Sequence, residues 1–136
     1  MSDQKEYKTP LLMKIGIKPD SKIALINAPA WLVQKLSDDK FLYDQIMLKD
    51  KLYNTIWVFE NTIKGCESYL KRSAKCIEKN GMIWFSWYKK ASKLGTELNE
   101  NIIRDTALAL DLVDVKVASV DDIWSALKMV IPLSNR

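Results

Sequence analysis

The sequence contains no histidine. That removes Ser-His-Asp and Cys-His nucleophilic machinery and the commonest general base. It also argues against zinc, because the two cysteines are too few ligands alone. Cys66 and Cys76 fall in one predicted helix, where ten positions separate them by about 15 Å. A disulfide needs Cα atoms within about 7 Å, so these two cannot pair there and read as reduced core thiols. Long apolar runs are missing too; none approaches the ~18 residues of a membrane helix. The opening stretch, Met1 to Lys8, is polar and charged where a secretory signal would be apolar. A cytoplasmic protein without membrane contact is expected. Residues 1–8 read as a flexible tail and 9–136 as one α/β domain.

What is present suits a single core. The chain has 136 residues, 48% of them hydrophobic, and a net charge of only +4. Such a chain can bury a core without disulfides or metals, and its mixed charges argue against wholesale disorder.

Thr9-Pro10 opens a short helix that Gly16 can end, and Lys18 to Ser21 is a turn. Lys22 to Asn27 is nearly continuous apolar sequence, as in a strand buried on both faces. Pro29 opens a second helix through Trp31, Leu32 and Leu36. Tyr43 to Leu48 is a weak strand and Thr55 to Phe59 a strong one. Ile63, Cys66, Leu70, Ala74 and Ile77 recur at helical steps, predicting a helix from Thr62 to Lys79. Asn80-Gly81 is expected to stop it, with glycine at a left-handed cap. Met82 to Trp87 is the next strand, followed by the loop Tyr88 to Gly95 and a helix from Leu98 to Leu110. Val113 to Val120 and Ala126 to Ile131 are strands joined by too few residues for a helical crossover, so they must be antiparallel. Strands alternating with helices predict a doubly wound, mostly parallel sheet closed by a C-terminal antiparallel hairpin.

Two resemblances follow from these segments. Asn54 to Val58 and Lys79 to Trp87, with the terminal hairpin, resemble the Rossmann-like fold of class I methyltransferases, truncated by one strand–helix unit. That fold implies a glycine-rich turn after the first strand, where the backbone approaches the cofactor. Here the turn is Asn27-Ala28-Pro29-Ala30-Trp31, with no glycine and with a proline that lacks an N–H. An acidic residue ending the second strand would hold a ribose, and Tyr43 to Leu48 ends without one, although Asp50 is near. S-adenosylmethionine is therefore disfavoured and no cofactor is expected. The chain also resembles a bacterial family, domain of unknown function 3052. The matching segments are Gly16 to Pro19, Asn27 to Pro29, Trp84 to Lys93, Val113 to Val117, Val120-Asp121 and Trp124 to Lys128. Tyr88 and Ala126 stand where that family usually has proline and glycine. The family carries no established activity.

Ligands of open α/β sheets bind beyond the carboxyl ends of the strands. That edge is expected to carry Asn27 and Trp31 after the first strand, Glu60 and Asn61 after the third, and Trp87, Lys89, Lys90 and Lys93 after the fourth. Together they would suit a planar or anionic small molecule through stacking and charge. Packed tryptophans and solvated lysines are the alternative. From residue 62 to 93 eight cations face only Glu67 and Glu78, which could meet nucleic acid or be the wet side of an amphipathic helix. Asp121-Asp122 reads as turn chemistry, since a hard cation needs six or more oxygens. The reading that results is a non-catalytic binding or regulatory module, with an anionic small molecule or a protein as its expected partner. Its alternatives are a small enzyme or anion binder using the lysine loop, and a nucleic-acid contact.

Overall fold

The computed structural model describes residues 10–136; the expected tail and the Thr9 cap lie outside them. Six strands form one sheet in the order β2-β1-β3-β4-β6-β5. β1 (Ile23–Ile26), β2 (Tyr43–Asp44), β3 (Tyr53–Phe59) and β4 (Ile77–Tyr88) run parallel. β6 (Trp124–Val130) is antiparallel to β4 and to the edge strand β5 (Val113–Ser119). The expected fold class is the observed one.

Helices cover both faces, which explains why the central strands are apolar on consecutive residues. Ile23 and Leu25 of β1 pack with Leu12 and Ile15 of α1 (Pro10–Ile15) and Leu32 and Leu36 of α2 (Ala30–Asp38). Ala24 and Ile26 point the other way. They join Cys66 and Leu70 of α3 (Ile63–Cys76) and Ile103 and Ala107 of α4 (Glu100–Ala109). The same alternation puts Trp57 and Trp84 in the first layer and Phe85 and Trp87 in the second. Both buried indoles of the first layer are satisfied. Trp57 Nε1 donates to Ser86 Oγ at 2.8 Å, and Trp84 Nε1 donates to the Ile15 carbonyl at 3.0 Å. Gly16 ends α1 in the left-handed region (φ 93°).

Several boundaries differ from the sequence expectation. α3 stops at Cys76, and Ile77 already pairs with Tyr53 of β3. The next paired residues are Thr55 and Met82, so β4 carries an irregular excursion over 78–81. Gly81 is therefore no helix cap, and its φ is not positive. A Cβ there would lie 2.8 Å from Ile77 Cδ1 and 3.0 Å from the Asn54 carbonyl. Close approach of β4 to β3 is what requires the glycine. The buried stripe of α3 is Cys66, Leu70, Ser73 and Cys76, while Ile63 is exposed. β2 shrinks to two residues, and 45–52 leads into β3 with no helix. The hairpin forms as expected, with Asp121 Oδ1 accepting from the amides of Ile123 (2.9 Å) and Trp124 (2.8 Å). The aspartate thus serves the turn.

Candidate functional site

The carboxyl edge of β1, β3 and β4 is organised by polar side chains that bind one another. After β3, Asn61 accepts from the Tyr88 amide at the end of β4 through Oδ1 (2.8 Å). Its carbonyl accepts from the Glu97 amide (2.8 Å). Glu97 in turn reaches the first turn of α3, where Oε1 accepts from the Ile63 amide at 2.8 Å. Thr62 caps the same helix by accepting from the Gly65 amide (3.0 Å) and donates to Glu60 Oε2. Gly65 allows this fit, since a Cβ there would fall 1.8 Å from Glu60 Oε2. Two carboxylates thus lie at the positive end of α3, where negative charge is favoured.

The expected ligand-edge residues are not all neighbours. Glu60 and Asn61 take part in the network just described. Asn27 stands beside it, donating from Nδ2 to the Tyr69 hydroxyl at 3.2 Å. Trp87 is buried in the α3–α4 layer. Trp31 is 38% exposed on α2, bordering a shallow surface cleft with Gln34, Lys35, Asp38 and Asp39. Because α2 and Trp87 cover opposite faces of the sheet, the two tryptophans do not form one stacking site. Lys89 turns toward the terminal hairpin: its amide donates to Ile123 (2.7 Å) and its Nζ to Ser119 Oγ (2.5 Å). Lys90 lies on the exposed 3-10 turn Lys90–Ser92, and Lys93 closes that turn with φ 62°. Trp124 covers the end of β4, edge-on to Phe59 (4.9 Å) and against Tyr88 (4.5 Å).

The basic segment is dispersed as well. Lys64, Lys71, Arg72 and Lys75 are exposed on α3, but Arg72 donates to the Met47 carbonyl at 2.6 Å. Lys79 lies on the excursion of β4, at the other edge of the sheet from Lys89, Lys90 and Lys93. Glu67 and Asp105 share a small cleft with Lys71.

Two features of the β1–α2 bend and of β2 went unseen in the sequence. Asn27 adopts φ 58°, so an asparagine supplies the left-handed backbone for which glycine was expected. Glycine was therefore unnecessary for the turn's shape. Pro29 sits at the N-cap of α2 and makes no side-chain cap bond. β2 does end in an acid, contrary to the expectation: Asp44 Oδ2 accepts from Lys51 Nζ at 2.7 Å and from the Tyr53 hydroxyl at 2.5 Å. Those bonds, with Lys51 first, hold the Asp44 carboxyl below its ordinary range. Asp44 pairs with Ala24, two residues short of the end of β1. The shortness of β2 hid it: a strand of two residues has no periodicity to read.

Cys66 and Cys76 are free and buried, and burial pushes the Cys66 thiol up to about 11. Among the described residues no group of His, Cys, Asp and Glu could hold a metal. No helix among them is long and apolar enough to cross a membrane.

Several solved structures are similar to this chain. A magnesium protoporphyrin IX methyltransferase from Synechocystis PCC 6803, with bound SAH, superposes with a TM-score of 0.63 at 9% identity, over 95% of this chain and 83% of that one. A TehB-like SAM-dependent methyltransferase from Corynebacterium glutamicum gives 0.56 at 9% identity, over 93% and 87%. The fibrillarin pre-rRNA processing protein of Methanococcus jannaschii gives 0.53 at 14%, over 92% and 75%. This is the methyltransferase-like Rossmann fold. Identities this low establish the methyltransferase-like fold and nothing of activity. No family model matches the sequence, and no curated protein matches it.

Proposed function

We propose that the chain is a non-catalytic binding module on a methyltransferase-like scaffold, without a nucleoside cofactor. The observation that carries this reading is the mutual commitment of polar groups at the carboxyl edge. Asn61, Glu97, Thr62 and Glu60 satisfy one another and the start of α3. The residues present do not fit S-adenosylmethionine well. Pro29 removes one backbone donor from the β1–α2 bend, and Asp44 is held by Lys51 and Tyr53. A ligand taking these groups would have to break bonds worth about 0.5–1.5 kcal/mol each, and more where a charge takes part.

The test is a thermal-shift titration with S-adenosylmethionine and S-adenosylhomocysteine. Neither should raise the melting temperature at millimolar concentration, whereas a ligand at a hundred times its Kd would add about 2.7 kcal/mol. A saturable rise, or methyl transfer by the pure protein, would reject the proposal.

Kinship with the bacterial domain of unknown function 3052 belongs to the same reading and rests on the segments from Trp84 to Lys93 and Val113 to Lys128. A member of that family solved without the β5–β6 hairpin would count against it. A cytoplasmic placement is part of the same proposal; recovery of the chain in an exported fraction would refute it.

A further inference from the structure

The opposite edge of the sheet carries a different site. A cleft of about 830 Å³ runs along the starts of β3 and β4 and the end of β6. The turn after α1 forms one wall with Lys18 and Asp20, the excursion of β4 lies behind it at Asn80 and Gly81, and Lys128 and Arg136 close the other side. Gly81 keeps the floor tight, because a Cβ would meet the Asn54 carbonyl.

One cation of this cleft faces a like charge on the next strand. Lys128 of β6 is directly paired with Lys116 of β5, and like charges directly opposite on an antiparallel pair are destabilising. Lys116 relieves itself only partly, over the Trp84 ring at 5.9 Å and toward the Lys14 carbonyl at 3.4 Å. Lys128 has no ion-pair partner among the described residues. Burial first, and the Lys116 charge second, lower its pKa. Among the described residues Asp20 is the one acidic side chain lining the cleft, against Lys18, Lys128 and Arg136. Asn54 accepts from the Lys22 amide at 2.9 Å through its carbonyl, which leaves its NH2 as a further donor.

We propose that this cleft binds a small phosphate-bearing ligand, with Lys128 as the central cation, Lys18 and Arg136 lining the cleft beside it, and Lys116 approaching from the neighbouring strand. A multivalent oxyanion would replace the repulsion between the paired lysines with two charge-assisted contacts. The proposal deepens the reading as a binding module by naming a ligand class. It can fail separately, since S-adenosylhomocysteine carries no phosphate.

The experiment titrates the full chain with inorganic pyrophosphate, by thermal shift and by calorimetry. Saturable binding is expected. Lys128→Met keeps the apolar stem and removes the charge, so it should weaken binding at least tenfold and raise the melting temperature of the free protein. Lys116→Met should do both to a lesser degree, and Lys75→Met on α3 should do neither. No saturable binding, or binding unchanged by Lys128→Met, would overturn the proposal. So would saturable binding of a single-stranded oligonucleotide with which pyrophosphate does not compete, because that would make the surface a nucleic-acid contact.

Discussion

Replacing Asn61 with alanine tests whether the two loops at the carboxyl edge are held by one side chain. Asn61 Oδ1 is the acceptor for the Tyr88 amide at 2.8 Å, and the Tyr88 residue is half-buried against Trp124. The alanine variant leaves that N–H without its partner in a place that water reaches poorly. A lost hydrogen bond costs about 0.5–1.5 kcal/mol, and an unsatisfied buried donor about 1–3 kcal/mol. Partial exposure puts the expected cost at about 1–2 kcal/mol. For a domain of this size that lowers the melting temperature by roughly 4–8 °C. The effect should also be local. A loss of this size would speed exchange of the Tyr88 amide about 5- to 30-fold, if that amide opens through local fluctuation. Amides at the middle of β4, such as Phe85, should change only as far as global stability does. Asn61→Asp keeps an acceptor and should restore Tyr88 protection. If Tyr88 exchanges in Asn61→Ala at the wild-type rate, the account of this edge as a mutually bonded network fails.

Other perturbations have outcomes set by the same geometry. Ser86→Ala orphans the buried indole N–H of Trp57 and should cost about 1–3 kcal/mol in urea denaturation; Trp57→Phe with Ser86→Ala should then fall short of the two single losses added together. The lowered pKa of Asp44 means its bonds to Lys51 and Tyr53 favour the folded state while it is ionised. That contribution is complete above the unfolded carboxyl value of about 4 and is lost as pH falls through the lower folded value. Asp44→Asn should flatten the acid limb of the stability profile and leave its shape at neutral pH unchanged. Cys66 is fully buried with its thiol raised to about 11, so a thiol-specific disulfide reagent at pH 8 should modify it only after denaturant is added. Rapid labelling of Cys66 in the native protein would contradict the packing between α3 and α4.

Much of the fold was determined by the sequence itself, because the signals were local and periodic. The continuous apolar runs at Lys22 to Asn27 and Met82 to Trp87 demanded strands covered on both faces, and the short link between the last two strands demanded an antiparallel pair. The absence of histidine bounded the chemistry without any coordinates. Tertiary structure decided what depends on approach between distant segments. Helical spacing continued through Ile77, yet Ile77 became a strand residue because pairing with Tyr53 outweighed one more turn of α3. Gly81 looked like a cap and proved to be the place where β4 nears the Asn54 backbone. Trp31 follows the first strand and Trp87 lies at the end of the fourth, but the sheet stands between them. The Lys116–Lys128 pair was hidden for the same reason: side chains twelve positions apart become neighbours only once strand register is set, and register is a property of the assembled sheet.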